Sequence, residues 1–498
     1  MSSAALLEVF DRLPRTRILV VGDLLLDRYT WGNAERLSPE APVVVLNAGE
    51  REDRLGGAAN VAHMLHALEA EVVCAGVIGR DSAGDSLRNL LEAIDVDTAA
   101  VLVDPTRPTT LKERFLGKAA ARHSQQILRV DTESREALCS SLEDELIRRI
   151  QAELPRVNAV LVSDYGKGVC SPRLLRAVID GARAAGLPVL VDPIRARDYG
   201  PYRGATLLTP NRIEAELGSG HKVRTPDDAI GAAHELCRRL ALEATVVTLD
   251  SDGMAVAWSD GRARHFATRK RAVYDITGAG DMVLAMLGIC LAGGAEIDDA
   301  VRLGNVAGGL EVEQVGVVAL TREEIRRDLI VAARTGVGKL VAADEIGPLM
   351  AAARGRGQRI VFTNGCFDLL HAGHVAGLAE AADQGDRLVV GLNSDASVRR
   401  LKGPQRPVIG QAERAAMLAA LASVDYVVLF DDETPVELIH QVRPDVLVKG
   451  ISYAHKRIAG QDFVESYGGR VHLAHEVQGW STTSLIERLA ATNQRQAA

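Results

Sequence analysis

The sequence predicts an α/β protein built as two successive open sheets, each mostly parallel and covered by helices. Three observations lead there. The 498 residues exceed the length at which one hydrophobic core stops growing, so two or three domains are expected. Short apolar runs of strand length alternate with helix-like stretches, the rhythm of βαβ units. Two glycine-bearing turns, D-I-T-G-A-G-D-M-V at 275–283 and N-G-C-F-D-L-L-H-A-G-H at 364–374, each lie inside their own stretch of that rhythm.

The first unit opens with R-I-L-V-V-G (17–22), an apolar run ending in Gly22-Asp23. Further strands are predicted at 72–77, 159–163, 187–191 and 245–249, with helices at 137–151, 172–185 and 227–240. Residues 42–47, 111–116 and 126–130 interrupt the rhythm with polar alternation, which predicts a small β lid beside the substrate crevice. After Asp281, apolar helical patterns run to about 290 and over 298–312, and the unit ends near Thr321. Residues 321–339 hold one helix-like run and then T-G-V-G-K, which marks the boundary. A short helix at 344–354 leads into the second unit, with strands expected at 359–363, 386–392, 425–430 and 445–450. The expected division is 1–330, a linker and lead-in helix over 331–357, and a smaller domain over 358–498. No repeat relates the halves, so two different folds are expected.

Hydrophobic content of 47% with only 4% aromatic residues and 46 glycines suits sheets built on Val, Ile, Leu and Ala. A formal charge of -8 argues against a general nucleic-acid surface, though not against local basic pockets. The start M-S-S-A-A-L-L-E-V-F-D-R lacks the basic-then-apolar order of a signal peptide. No apolar run approaches the roughly 18 residues of a membrane helix. Cys74, Cys139, Cys170, Cys237, Cys290 and Cys366 show no C-x-x-C spacing, which points to reduced thiols and a cytoplasmic location.

The chemistry of the first unit centres on Thr277-Gly278-Ala279-Gly280-Asp281, just before an apolar helix. Glycines allow a tight turn that exposes N–H groups, and the helix start adds positive potential, which suits a transferring phosphoryl group. Asp281 can then accept the proton of an attacking hydroxyl. Alone, the turn would read as an ordinary strand–helix connection. Supporting signals stand at other strand ends, where ligands bind in open sheets. Asp23 is expected to hold a sugar hydroxyl, and Leu55-Gly56-Gly57-Ala58-Ala59-Asn60 opens a helix with close backbone approach. Thr209-Pro210-Asn211 with Glu214 suits water and magnesium around a triphosphate, with Glu214 the metal candidate, and Thr248 with Asp252-Gly253 ends another strand.

In the second unit His371-Ala372-Gly373-His374 follows Phe367-Asp368, and the two imidazoles, three apart, share a helix face. Gly373 lets a nucleotide approach. Without a third well-spaced His or Cys, a phosphate-binding pair is favoured over a metal site. A sugar 1-phosphate is already an anionic nucleophile near neutrality, so the protein need only align reactants and neutralise developing charge. Lys402 and Lys449 suit that role, and Ser481-Thr482-Thr483-Ser484 supplies hydroxyls at a helix start.

The glycine–asparagine helix start together with Gly-Ala-Gly-Asp resembles the ribokinase-type carbohydrate kinases. The strings G-D-L-L-L-D-R-Y, R-L-S-P-E-A-P-V-V-V, S-D-Y-G-K-G and L-L-T-P-N resemble its heptose-7-phosphate kinase branch. That resemblance implies a ribokinase-like domain with a small β lid. It implies Asp281 as base, Gly278, Ala279 and Gly280 as anion hole, and Asp23, Asp27, Gly56, Gly57 and Asn60 around the sugar. Asn211 and Glu214 then serve the magnesium–phosphate side, and Thr248 and Gly253 line the nucleotide. Lys112, Arg114, Lys167 and Arg195 are candidates for the sugar's far phosphate.

The His-x-Gly-His turn and late Ser-Thr-Thr helix start resemble the cytidylyltransferase-like superfamily. N-S-D-A-S-V-R-R-L-K-G-P-Q-R-P-V and R-P-D-V-L-V-K-G are similar to its sugar-phosphate adenylyltransferases. The implied fold is a smaller Rossmann-like nucleotidyltransferase domain, with Phe367, Asn393, Asp395, Arg414, Ser481, Thr482 and Thr483 near the nucleotide or phosphate. One departure stands out: Ile451-Ser452 replaces the family's Gly-Asp after the Lys-Gly pair.

The domain order resembles bifunctional kinase–adenylyltransferases that make ADP-heptose for lipopolysaccharide. It implies ATP, magnesium and a monovalent cation, sugar phosphates as substrates, a separate 7-phosphatase between the steps, and a homodimer without nucleic-acid or membrane partners. The alternatives are another sugar, cytidylyl transfer to a polyol phosphate, or one domain acting only as a binding and dimerisation module.

Overall fold

The computed structural model describes residues 3–118, 125–269, 277–314, 316, 318–334 and 339–475. They form two compact units, Val9–Arg326 and Arg327–Ala498 with Met1–Glu8.

In the first unit, a nine-stranded sheet among the described residues runs Ala263–Phe266, Met254–Trp258, Ala244–Thr248, Leu207–Leu208, Val189–Asp192, Ala159–Ser163, Arg17–Gly22, Glu71–Gly79, Asp97–Asp104 from edge to edge. All neighbours are parallel except the last hairpin at one edge, where Ala244–Thr248, Met254–Trp258 and Ala263–Phe266 run antiparallel. The strands are apolar on both faces because both faces are covered. Leu19, Val21, Val160 and Val162 pack with Leu146, Leu174 and Val178 on one side. On the other, Leu161 meets helix Ala279–Ala292 at Gly288, where any Cβ would collide with it. Strand order reverses between Arg17–Gly22 and Ala159–Ser163, which opens a crevice at the carboxyl ends there.

The lid is larger than the sequence predicted. Four strands, Val44–Gly57, Leu24–Leu37, Thr110–Lys118 and Gln125–Thr132, form a separate sheet, with Leu24–Leu37 parallel to Thr110–Lys118. Leu24–Leu37 was not foreseen as a strand, because its apolar start and polar end show no clean two-residue period. Gly56 lies opposite Leu25, and Asp27 Oδ2 occupies the space where a Cβ would stand.

The second unit carries a parallel sheet ordered Leu340–Val341, Tyr426–Phe430, Arg387–Asn393, Ile360–Gly365, Val446–Gly450, Arg470–Ala474. Alternate residues supply two cores. Phe362, Val389, Val428 and Leu447 pack with Ile346 and Met350 of helix Ala343–Gly355. Val361, Val390, Val427 and Val448 pack with Leu378 and Leu418. Order reverses between Ile360–Gly365 and Val446–Gly450, again placing a ligand crevice at their carboxyl ends. The strands Leu340–Val341 and Arg470–Ala474 were not anticipated; one has two residues and the other is interleaved with polar side chains. Among the described residues, no helix is long and apolar enough to cross a membrane.

Candidate active sites

The first crevice has a volume of about 500 Å³ and is lined by Asp164, Tyr165, Asp192, Arg195, Asn211, Glu214, Thr248, Gly278, Gly280 and Asp281, among others. Gly278 caps helix Ala279–Ala292 at φ 98, a left-handed conformation suited to glycine, and so places Asp281 in the first turn facing the crevice. Asp281 is buried. Its Oδ2 accepts from Asn60 Nδ2 at 2.7 Å and its Oδ1 from the Tyr165 hydroxyl at 3.3 Å. Burial raises its pKa to about 6, and those two bonds restrain the rise. The result is a carboxylate poised near neutrality, as a general base requires.

Asn60 reaches Asp281 because Gly57, at φ 56, starts helix Ala58–Ala67 beside the lid. The Asn60 Oδ1 is buried with no partner among the described residues, an acceptor left for a ligand donor. Asn211 and Glu214 form a reciprocal cap on helix Arg212–Ser219. Asn211 Oδ1 accepts from the N–H groups of Ile213 and Glu214, and Glu214 accepts from the Asn211 N–H at 2.9 Å. Burial raises the Glu214 pKa, and it raises that of Asp192 far more, with Glu214 and Asp281 adding repulsion there. Oxygen ligands of this kind suit a hard divalent cation, so Asp192 and Glu214 fit one beside the glycine turn.

Several expected roles change. Asp23 does not face the crevice for a hydroxyl. It is 1% exposed and accepts from the backbone N–H groups of Tyr165, Lys167 and Val169 at 2.9, 3.0 and 3.2 Å, tying that loop over the strand end. Asp23, Asp164 and Cys170 converge as three metal-capable groups, but the three N–H donors on Asp23 and a Cys170 thiol pushed far up by burial make a poor cation site. Gly253 sits in the turn before Met254–Trp258, pressed against Phe266 and Thr268 rather than on the crevice wall. Arg195 lines the crevice beside Glu214 instead of reaching toward the lid. Lys112 lies 5.1 Å above the Tyr165 ring, Arg114 pairs with Asp27, and Lys167 pairs with Glu133 at 2.5 Å. Tyr165, Asp164 and Asp192 were missed, although each follows or ends a predicted strand.

The second crevice, of about 430 Å³, is lined by residues including Asn364, Phe367, His371, Gly373, His374, Lys402, Lys449, Ser452, Tyr453 and His475. His371 caps helix Ala372–Ala382, its Nδ1 accepting from the His374 N–H at 3.3 Å. The two rings stack at 3.8 Å, with the Phe367 ring edge-on to His374 at 5.2 Å. Burial lowers both imidazole pKa values, His374 to about 4 with help from neighbouring His371. Both are therefore neutral near pH 7 and each keeps one N–H to donate. Burial also lowers Lys449 to about 8; its Nζ donates to Asn364 Oδ1 and lies 5.5 Å from the Tyr453 ring.

Arg414 is not a ligand arm. It is fully buried, with Nε donating to Ile409 O, Nη1 to Cys366 O and Asn393 O, and Nη2 to Asp395 at 2.7 Å. A single guanidinium thus ties the loop before the histidine turn to the end of strand Arg387–Asn393. Asn393 donates to Ser397, so Asn393 and Asp395 brace this junction and neither lines the crevice. Asp368 is similarly engaged, holding the N–H groups of Val408 and Ile409 and the Arg406 side chain. Ser481, Thr482 and Thr483 lie outside the described residues. Asn364, Tyr453 and His475 were missed, and the departure Ile451-Ser452 forms a short turn that puts Ser452 on the crevice wall.

Residues 15–324 match the pfkB family carbohydrate kinases, and residues 362–490 match the cytidylyltransferase-like family. The chain is 48% identical over 481 residues to the bifunctional protein HldE of Geotalea uraniireducens, with 97% of each chain covered. It is 43% identical over 491 residues to the HldE of Paramagnetospirillum magneticum, covering 98% of this chain and 99% of that one. Among solved structures, Arabidopsis thaliana ribokinase complexed with ribose and ATP aligns at TM-score 0.51 and 19% identity, over 64% of this chain and 99% of that one. Escherichia coli phosphofructokinase-2 in complex with potassium aligns at TM-score 0.52 and 19% identity, with the same coverages of 64% and 99%. At that identity the likeness is one of fold, and it gives the first unit a ribokinase-like fold. The chain belongs to the family of the bifunctional protein HldE, in which an ATP-dependent sugar-phosphate kinase is joined to a nucleotidyltransferase.

Proposed function

We propose that the first crevice phosphorylates O1 of D-glycero-β-D-manno-heptose 7-phosphate with ATP, and that the second adenylylates heptose 1-phosphate, releasing pyrophosphate and ADP-heptose. A separate phosphatase removes the 7-phosphate between the steps. The observation that carries the kinase half is the buried Asp281 carboxylate, held by Asn60 and Tyr165 in the first turn of a glycine-started helix. Asp281 takes the O1 proton as that oxygen attacks the γ-phosphorus, and the Gly278–Gly280 turn presents N–H groups to the transferring phosphoryl. Asn60 Oδ1 accepts from a sugar hydroxyl, with Asp27, Gly56 and Gly57 shaping the wall behind it. Arg114 and Lys167 exchange their present partners for the 7-phosphate, which Lys112 meets from its place over the Tyr165 ring. Thr248 borders the nucleotide. Asp192 and Glu214 would hold magnesium, which when bound neutralises charge on the triphosphate.

In the second crevice His371 and His374 donate N–H groups to the phosphates, while Lys402 and Lys449 offset charge on the bridging oxygens. Family resemblance adds Ser481, Thr482 and Thr483 to the nucleotide side. A monovalent cation beside the kinase turn has support only from the phosphofructokinase-2 solved with potassium. Leu37, Val44, Leu128 and Val130 are exposed on the lid sheet, which supports a homodimer paired through the lids. The site of action is the cytoplasm.

Phosphorus NMR tests the reading. Full-length protein with ATP, magnesium and the heptose 7-phosphate should give a 1,7-bisphosphate signal that converts to ADP-heptose and pyrophosphate once a 7-phosphatase is added. ATP left intact with this sugar but consumed with another would overturn the substrate. Silence with every phosphosugar would overturn both activities.

A further inference from the structure

The Asp281 carboxylate has acidic neighbours on several elements: Asp27 on the lid, Asp164 at the end of strand Ala159–Ser163, Asp192 on the next strand, and Glu214 on its helix. Lys112, from lid strand Thr110–Lys118, is the nearby cation favouring its charged form. Between Lys112 and Asp281 stands Tyr165. Its backbone N–H is pinned by Asp23 at 2.9 Å, its ring carries the Lys112 ammonium at 5.1 Å, and its hydroxyl donates to Asp281 Oδ1 at 3.3 Å. The phenol is thus fixed by main chain, ring face and hydroxyl together. Surrounding carboxylates hold its pKa far above the usual tyrosine range, so the O–H remains a donor throughout the working pH range.

Asn60 already holds the other Asp281 oxygen at 2.7 Å. The longer Tyr165 bond falls on the oxygen with no other donor among the described residues, where an incoming hydroxyl can share the carboxylate. We propose that Tyr165 is a positioning residue of the kinase, orienting Asp281 toward the sugar hydroxyl and coupling that carboxylate to lid residue Lys112. This rests on Asp281 being the kinase base. Phenylalanine would keep the ring and its cation contact while removing the hydroxyl that donates to Asp281 Oδ1, so the substitution isolates that hydroxyl.

The test compares full-length wild type and Tyr165→Phe with ATP, magnesium and heptose 7-phosphate from pH 5.5 to 9, reading kcat and sugar KM. Pyrophosphate release by the second domain and a thermal melt report folding. Losing a donor to the ionised base moves the acid limb of kcat upward by about one pH unit, so kcat falls about fivefold at pH 6 and less than about twofold at pH 8. Sugar KM stays within about twofold. If Tyr165→Phe does not fold, Tyr165→3-fluorotyrosine decides the matter: this nearly isosteric, stronger donor should move the limb downward, and an unmoved limb overturns the proposal. A limb unmoved in the folded variant overturns the proposal and leaves Tyr165 as packing. So does a raised KM with unchanged kcat, which makes it a sugar contact. If wild type consumes only a different phosphosugar, the substrate reading fails while the same wild-type-to-variant ratio, read with that sugar, still decides the role of Tyr165.

Discussion

The two crevices are built from opposite charges, yet burial acts on both in one direction, toward the neutral form. In the first it lifts the Asp281 carboxylate to about 6, and in the second it lowers His374 to about 4 and Lys449 to about 8. The supporting contacts differ accordingly. Asp281 must stay ionisable near neutrality to take a proton, and two donors, Asn60 and Tyr165, keep it so. The imidazoles of His371 and His374 need no charge to bind phosphate, because a neutral ring still donates one N–H. Desolvation is therefore opposed at Asp281 and exploited at the histidine pair.

The comparison breaks most directly if the two sites depend on each other. Asp281→Asn should lower ADP formation by about 10³-fold while leaving pyrophosphate release within about twofold of wild type. His374→Ala should lower pyrophosphate release by about 10²-fold and spare ADP formation. Both activities are measured on the same purified chains, with pre-made heptose 1-phosphate supplied to the second site. A variant that depresses both reactions while remaining folded would mean that the chemistry is shared.

Arg414 sharpens the contrast between a charge buried for chemistry and one buried for structure. Its guanidinium donates to four protein oxygens, three of them backbone carbonyls that lose a partner on truncation. Arg414→Ala should cost the second unit about 3 kcal/mol. Hydrogen exchange in strands Ile360–Gly365 and Arg387–Asn393 checks this; protection there should fall, with strand Ala159–Ser163 unaffected. Asp281→Asn should leave both sets protected.

Arg414 also shows where sequence reading stops. The strands were legible because fully buried parallel strands are continuous apolar runs: 359–363 was expected where Ile360–Gly365 is found, and 445–450 where Val446–Gly450 is found. Turn chemistry was legible too, since Gly278 and Gly57 adopt backbone angles that favour glycine and thereby bring Asp281 and Asn60 together. Long-range partnership was not. Asp23 looked like a ligand at a strand end until the loop bearing Tyr165, Lys167 and Val169 closed over it, some 140 residues later in the chain. Tyr165 lies in the S-D-Y-G-K-G string after a predicted strand, but its role could not be read there, because it depends on Lys112 and Asp281 arriving from two other elements. The lid strand Leu24–Leu37 was hidden for a related reason: its core-facing and exposed parts follow different hydrophobic patterns.

The smallest predicted effect is the one that tests burial itself. Asp281 acts when ionised and its pKa is raised to about 6, so the kinase rate climbs as pH passes 6 and then levels. Lys449 acts when protonated and its pKa is lowered to about 8, so its charge, and with it adenylyl transfer, fades as pH passes 8. His374 is neutral above about 4 and contributes no limb over this range. The ratio of ADP formation to pyrophosphate release should therefore rise about 17-fold between pH 5.5 and 8.5, measured as kcat at saturating substrates. Profiles that move in parallel would show that the two burials do not control the two rates. Asn364→Ala carries the test one step further: the Asn364 oxygen accepts from the Lys449 ammonium and favours its charged form. Its loss should move the alkaline limb of adenylyl transfer to lower pH by about half a unit, with the kinase profile unchanged.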